Sequence, residues 1–206
     1  MQDLSSQVYK NDLFAKDRIQ IIKVPTQTAF TSFVTQASPY LSKEAAEETV
    51  LSTWMDNHVL WDKIRTTGGA YGIDAGSENL NRLFAMGSFR DPTPFNSIKV
   101  FENIFEELKG MDFSEEDIDR VIVTIYTNMI CPASPKGRGE TGFLNFIYGE
   151  PDEITDKKID FLFSITPQDI KNSIIRMDKF VKNKWEAVVF CDKSVKTSGN
   201  IIKLPL

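Results

Sequence analysis

Arg65 and Tyr71 are the two side chains whose chemistry and spacing suit work on a polar ligand. They lie six positions apart, with Gly68 and Gly69 between them. We predict that Arg65 ends a short helix, that the glycines allow a tight turn and that Tyr71 begins a strand, so both polar tips can be aimed at one place. A guanidinium and a phenol both donate hydrogen bonds to a carbonyl oxygen that gains negative charge during attack. From these residues alone, a second interpretation is as good as ligand binding. In it, Arg65 pairs with a surface carboxylate and Tyr71 packs on the sheet.

The residues needed for a zinc site or a nucleophilic triad are scarce in this sequence. A hydrolytic zinc site needs about three protein ligands, usually including a pair of histidines at helical spacing. His58 is the sole histidine, and we interpret it as a helix-end residue. Cys131 and Cys191 are sixty positions apart, which predicts two reduced, mostly buried thiols. We therefore expect no metal ligands and no catalytic residues within this chain.

Composition and charge limit the possible partners. The chain has 206 residues, of which 41% are hydrophobic, enough for one domain with a substantial core. Its net charge of -5 argues against nucleic acid, because such binding normally needs a basic surface. No apolar run approaches the roughly 18 residues that a membrane span needs. Neither nucleic acid nor a membrane is an expected partner.

The order of predicted elements indicates an α+β fold. Two strands are followed by helices, two further strands, several more helices and a last strand, which predicts a largely antiparallel sheet covered by helices on one face. The predicted strands span residues 19–24, 28–36, 70–75, 83–90 and 185–191.

Several boundaries rest on turn signals. We predict a helix break near Asp56-Asn57 and a hairpin loop that contains Gly76, Ser77 and Asn79. Proline and glycine in residues 132–139 predict a mobile loop. Residues 194–200 are predicted to form a polar turn before an irregular C-terminal end. Residues 1–18 are predicted to be a connector from an upstream domain, and residues 19–206 a single domain.

One segment resembles a known family. Residues 60–72 carry the string Leu-Trp-x-x-Ile-Arg-x-x-Gly-Gly-Ala-Tyr-Gly, and Arg90-Asp91-Pro92 follows after the hairpin. This pattern resembles the C-terminal domain of presequence proteases and falcilysin-like enzymes within the pitrilysin (insulinase) family of zinc metallopeptidases. The layout of strands and helices is similar over most of residues 19–191.

The resemblance implies a part of a larger enzyme. It implies the fourth of four similar α+β domains whose two halves close around a chamber, with zinc bound by an upstream domain and none by this chain. Arg65 and Tyr71, with Gly68 and Gly69, would then bind the peptide substrate, and the N-terminal half of the same polypeptide would be the partner.

Other readings stay open from the sequence. The compartment would be the cytoplasm in a bacterium or an organelle matrix in a eukaryote. One alternative is a non-catalytic structural or regulatory subunit of the same superfamily. Another is a free-standing interaction module.

Overall fold

The computed structural model describes residues 18–130, 134–149, 152–193, 195 and 200–202. Residues 56–67 continue the first helix in π-helical geometry and are called the π-segment below. The elements in chain order are β1 (Ile19–Lys23), β2 (Ala29–Gln36), α1 (Lys43–Met55), the π-segment (Asp56–Thr67), β3 (Gly72–Glu78), β4 (Leu83–Asp91), α2 (Pro94–Leu108), α3 (Glu115–Ile130), α4 (Pro135–Tyr148), α5 (Asp152–Phe163), α6 (Pro167–Asn183), β5 (Trp185–Cys191) and β6 (Asn200–Ile202).

The described strands form one sheet in the order β3-β4-β2-β5-β1-β6. Neighbours from β3 to β5 run antiparallel, whereas β1 lies parallel to both β5 and β6. The predicted α+β class with a largely antiparallel sheet is therefore confirmed. The strand β3, which follows the segment with Arg65 and Tyr71, lies at one edge of this sheet.

Alternation along β2 shows which face of the sheet the helices cover. Phe33 is fully buried, and its ring centre lies 6.0 Å from that of Phe101 in α2 and 4.9 Å from that of Trp185 in β5. Phe30, on the opposite face, stays 42% exposed. Side chains that alternate in this way are expected of a sheet with one solvated face. The prediction that helices cover one face is confirmed.

A buried carboxylate ties the far end of the β3–β4 hairpin to helix α1. Glu48, fully buried in α1, accepts hydrogen bonds from the Ser38 amide at 3.1 Å and from the Asn79 side chain at 3.0 Å. The Arg176 guanidinium lies 3.4 Å from the same carboxylate and balances its charge. A buried charge is tolerated when it is paired and hydrogen-bonded in this way. The network fixes the hairpin on the helix layer.

The predicted break at Asp56-Asn57 is wrong, because the helix continues. The Asp56 amide still donates to the Ser52 carbonyl, so the backbone ladder is not interrupted. The side chain of Asn57 donates to the Thr53 carbonyl at 2.9 Å, and His58 Nδ1 donates to the Trp54 carbonyl at 3.1 Å. These side chains satisfy carbonyls where the helix widens. His58 thus lies inside a continuing helix and not at a helix end.

The loop predicted over residues 132–139 is also corrected. Helix α4 begins at Pro135, and the Ser134 hydroxyl caps it by accepting from the Gly137 amide at 3.1 Å. Serine followed by proline at the first helical position is a strong helix start, and it outweighs the glycines that follow. Residues 132 and 133 lie outside the described part of the chain.

Three smaller predictions shift at element ends. Gly76 and Ser77 belong to β3 and not to the hairpin loop, while Ala70 and Tyr71 precede the strand that was predicted to include them. Residues 200–202 form the short edge strand β6 instead of a turn and a ragged end. Parallel pairing with β1 explains β6, and such pairing between distant segments is not visible in local sequence. The predicted connector, residues 1–18, lies outside the described residues except for Arg18.

Candidate functional site

The π-segment presents Arg65 while its opposite side is held in the core. Leu60 and Ile64 are buried, whereas Trp61 is exposed and Arg65 is half-buried. The guanidinium carbon of Arg65 lies 4.0 Å from the centre of the Trp61 indole ring. A stack of this kind contributes about 0.5–1 kcal/mol at an exposed site. It holds the long Arg65 side chain along one direction.

The two glycines after Arg65 make the turn between the π-segment and β3. A β-carbon on Gly68 would lie 2.5 Å from the Ile64 carbonyl oxygen, and Gly69 has a φ of +79°, which favours glycine. The Arg65 carbonyl accepts from the amides of both glycines, so the turn is hydrogen-bonded directly to Arg65. The structure thus gives Gly68 and Gly69 a conformational role. Their contact with a substrate stays a prediction.

The start of helix α2 supports this turn. The Thr93 hydroxyl donates to the Gly68 carbonyl at 3.2 Å. Pro92 Cγ lies 3.4 Å from the position that a β-carbon on Gly69 would take, which is ordinary van der Waals contact. The downstream Arg90-Asp91-Pro92 sequence and the Gly68-Gly69 pair, separated by a hairpin in the chain, therefore meet in the fold.

Tyr71 is placed at the entrance to the edge strand. Its amide donates to the Phe89 carbonyl at 3.2 Å and, more weakly, to the Arg90 carbonyl at 3.4 Å. Its ring meets the Phe89 ring edge to face, with 5.4 Å between centres, and remains 58% exposed. Aromatic pairs prefer this geometry. The backbone of Tyr71 is fixed on β4 while its ring faces solvent.

These side chains form one cluster, which we call the aromatic-arginine cluster: Trp61, Arg65, Tyr71, Phe89 and Arg90. The guanidinium carbons of Arg65 and Arg90 lie 5.7 Å and 5.2 Å from the Tyr71 ring centre. Neither guanidinium forms an ion pair with a carboxylate of the described residues. The structure brings Arg65 and Tyr71 together on an accessible surface. Their role in substrate binding stays a prediction.

Trp61 and Arg90 belong to the motif residues, but the sequence predicted no role for them or for Phe89. Trp61 could have been found, because it lies four positions before Arg65 and residues at that spacing are neighbours on a helix. Arg90 reaches Tyr71 through the β3–β4 register, in which Gly72 pairs with Phe89. Local sequence does not fix the register of a hairpin whose loop was misplaced.

Asp56, at the start of the π-segment, has a strongly raised pKa. The pKa of its carboxyl is raised from the ordinary 3.8 to about 7, chiefly by burial; a hydrogen bond from the Ala75 backbone lowers the pKa, and the nearby charge of Asp74 raises it. Its Oδ1 is buried and has no hydrogen-bond partner among the described residues. Desolvation disfavours the charged form of a carboxyl, so Asp56 changes charge near neutral pH.

The described residues do not fit a zinc ion. They contain no group of three His, Cys, Asp or Glu side chains that could hold a metal. The His58 ring stacks on Trp54 at 4.9 Å and its Nδ1 is bonded to the helix backbone. Cys191 is buried, as predicted, and Cys131 lies outside the described residues. Within the described part of the chain, no helix is long and apolar enough to cross a membrane.

A separate cavity of about 510 Å³ lies between α1, the β3–β4 hairpin, α3, α4 and α5. Apolar side chains such as Leu41, Ile125, Leu144 and Phe161 supply most of its lining. It shares no lining residue with the aromatic-arginine cluster. Because a peptide backbone is bound through placed donors and acceptors, the cluster is the better candidate for a peptide site.

Comparison with known proteins identifies relatives of the whole domain. The PreP C-terminal domain family matches residues 21–194. Presequence protease, mitochondrial, of Saccharomyces cerevisiae is 29% identical over 171 residues, covering 82% of this chain and 17% of that protein. The protein of the same name in Emericella nidulans is 30% identical over 149 residues, covering 72% of this chain and 14% of the relative. The chain thus spans only a small part of the length of these relatives.

Solved structures with the same fold have low sequence identity. The inactive peptidase domain of a putative zinc protease from Bordetella parapertussis has a TM-score of 0.67 at 13% identity, covering 85% of this chain and 97% of that one. A peptidase M16 inactive domain from Pseudomonas fluorescens has a TM-score of 0.64 at 14% identity, with 88% and 45% coverage. Pitrilysin has a TM-score of 0.61 at 14% identity, covering 91% of this chain and 21% of that one. At these identities, the likeness shows a shared fold.

Proposed function

The chain belongs to the PreP C-terminal domain family of pitrilysin-type (M16) peptidases, and we propose that it binds the peptide substrate of a zinc-dependent metalloendopeptidase. The peptide is degraded in a closed chamber, to which this domain contributes one wall. The family match over residues 21–194 supports this assignment, as do the relatives named presequence protease.

This proposal makes the chain one domain of a longer polypeptide. Residues 19–206 are then the fourth domain, residues 1–18 connect it to the third, and the N-terminal half of the same polypeptide is its partner. Zinc is bound by an upstream domain, in keeping with the poor fit of the described residues to a metal ion. The location follows the source, an organelle matrix in a eukaryote and the cytoplasm in a bacterium.

The observation that carries the proposal is the proximity of two donors, the half-buried Arg65 and the exposed Tyr71. Their groups lie within 5.7 Å of one another, measured from guanidinium carbon to ring centre, and the Gly68-Gly69 turn holds them together. The guanidinium offers several N–H donors and the phenol one O–H donor. Donors held in place beside a peptide carbonyl orient it and stabilise the negative charge that develops on its oxygen during hydrolysis.

A non-catalytic structural or regulatory subunit of the same superfamily is the second candidate. Two of the solved neighbours are named inactive domains, which favours this alternative. Under it, the aromatic-arginine cluster would have no part in peptide turnover. The effect of its variants on turnover separates the two candidates.

Peptide binding by the chain itself tests the proposal. We expect a fluorescently labelled, unstructured peptide to bind, with the affinity measured by anisotropy. Arg65→Ala should weaken binding about 10-fold or more, since a hydrogen bond from a charged group is worth about 1.5–3 kcal/mol. Arg82→Ala removes an exposed arginine at the other end of β4 and serves as the matched control. Equal affinities of wild type, Arg65→Ala and Arg82→Ala would contradict a binding role for Arg65.

A further inference from the structure

Arg90 is held in an uncommon backbone conformation beside the candidate site. Its φ is +49°, in the left-handed region that residues other than glycine rarely adopt. Residues held in such conformations cluster at ligand-binding sites, where the surrounding structure over-determines them. Arg82 at the start of β4 has a similar φ of +55° but lies at the hairpin turn, away from the cluster.

The next residue, Asp91, shows how the conformation of Arg90 is maintained. Asp91 is 1% exposed, and its carboxylate accepts hydrogen bonds from the Ser88 hydroxyl at 2.6 Å, the Thr93 amide at 2.7 Å and the Ser97 hydroxyl at 2.6 Å. A carboxylate with three donors is well satisfied and rigid. The network fixes the backbone on both sides of the β4–α2 junction. The fold therefore sets the direction in which the Arg90 side chain leaves the sheet.

The locked conformation places a second guanidinium beside Tyr71. Arg65 and Arg90 both lie within 5.7 Å of the Tyr71 ring centre, and neither is paired with a carboxylate of the described residues. The chain as a whole is acidic, with a net charge of -5. Two cations beside the same ring, without a counter-charge among the described residues, make this surface locally positive and attractive to an anion.

The chemistry of the cluster indicates which anion fits. Aromatic rings cover the flat faces of guanidinium groups and leave their N–H edges available, and those edges match the two oxygens of a carboxylate. A neutral peptide carbonyl needs one such donor, which Arg65 supplies. The second cation, Arg90, is therefore not needed for binding the peptide backbone and is available for a charged group.

We propose that Arg90, together with Arg65 and Tyr71, forms a subsite for a carboxylate of the bound peptide. The carboxylate is either an acidic side chain or the C-terminal carboxylate of a short substrate. This inference rests on the proposed function, because it assigns a preference to the same peptide site.

The test uses one peptide sequence in three forms that differ only in carboxylate. The first is blocked at both ends and carries glutamine, the second has glutamate in its place, and the third has a free C-terminal carboxylate. Affinities are measured by anisotropy for the wild-type chain, Arg90→Gln and the control Arg82→Gln. Both variants remove one positive charge from an exposed residue of positive φ.

We expect at least one carboxylate form to bind the wild-type chain and Arg82→Gln about 10-fold more tightly than the neutral form, and Arg90→Gln to bind the carboxylate and neutral forms about equally. The form with the higher affinity identifies the source of the carboxylate, a side chain for the glutamate peptide or the chain end for the peptide with a free C-terminus. Equal binding of all three peptides by the wild type, or a loss in Arg90→Gln that is the same for all three, overturns the carboxylate subsite alone. Failure of every peptide to bind contradicts the proposed function and, with it, this subsite.

Discussion

The Phe89 ring lies against Gly72 so closely that a β-carbon at Gly72 would be 2.0 Å from Phe89 Cε1. No real β-carbon sits at that distance, so the absence of a side chain at Gly72 is what lets Phe89 occupy this place. Phe89 in turn supports the Tyr71 ring. The glycine that ends the 60–72 motif therefore positions Tyr71 through Phe89.

Gly72→Ala should destabilise the domain by about 0.5–1.5 kcal/mol, because the Phe89 ring has to move and loses its edge-to-face contact with Tyr71. Urea unfolding measures this change. Gly76→Ala is the control on the same strand, because a β-carbon there would meet nothing within 4 Å. Adding Phe89→Ala should remove most of the effect of Gly72→Ala, as expected for two residues in contact. Equal costs at Gly72 and Gly76, or strict additivity with Phe89→Ala, would show that this contact is unimportant.

Much of the architecture was predictable because it follows from local patterns. The local pattern predicted β2 to within one residue of its start, and an apolar run predicted β5 with the bounds that it has. Other errors arose where a contact distant in sequence decided the outcome, whereas the start of α4 at Ser134-Pro135 is a local signal that was missed. The Asp56-Asn57 pair predicts a helix break, but the helix continues because Leu60 and Ile64 are buried in the core. Strand β6 exists only through its pairing with β1.

Asp56 should make stability depend on pH. Its pKa in the folded chain is about 7, above the ordinary 3.8, so the folded state holds this proton more tightly than the unfolded state. The contribution is fully present below pH about 4 and is lost as the pH rises to about 7. Asp56→Asn should therefore melt at a higher temperature than the wild type at pH 8, with the difference shrinking towards pH 4.

Thermal melts from pH 4 to 8 measure this difference between variant and wild type. Asp62→Asn, an exposed acid on the same segment, is the control and should follow the wild-type curve. A constant offset between Asp56→Asn and the wild type at every pH would contradict the raised pKa.

The chain on its own should bind no stoichiometric zinc and hydrolyse no peptide. One histidine and two distant cysteines do not supply a tetrahedral ligand set. Metal analysis after dialysis, with a peptidase assay on the same sample, checks both parts. About one zinc per chain, accompanied by peptidase activity that a chelator abolishes, would be incompatible with this expectation.

The candidate site was predictable in its parts but not in its assembly. The family resemblance indicated Arg65 and Tyr71, and residue types with glycine spacing agreed with it without deciding it. Helical spacing places Trp61 beside Arg65. The contribution of Arg90 depends on strand register, on a left-handed backbone and on the buried Asp91 network. All three features depend on tertiary structure, so no local sequence pattern predicts them.

The most direct measurement of the central claim is the kinetics of Arg65→Ala in the proposed longer polypeptide, in which this domain is joined to a zinc-binding half. Removing one donor to the reacting carbonyl costs about 10²- to 10³-fold in rate. We predict a fall in kcat/KM of that size, with zinc content and melting temperature unchanged and with Arg82→Ala as active as the wild type. Unchanged kcat/KM in Arg65→Ala would contradict the claim that this domain binds the substrate through Arg65.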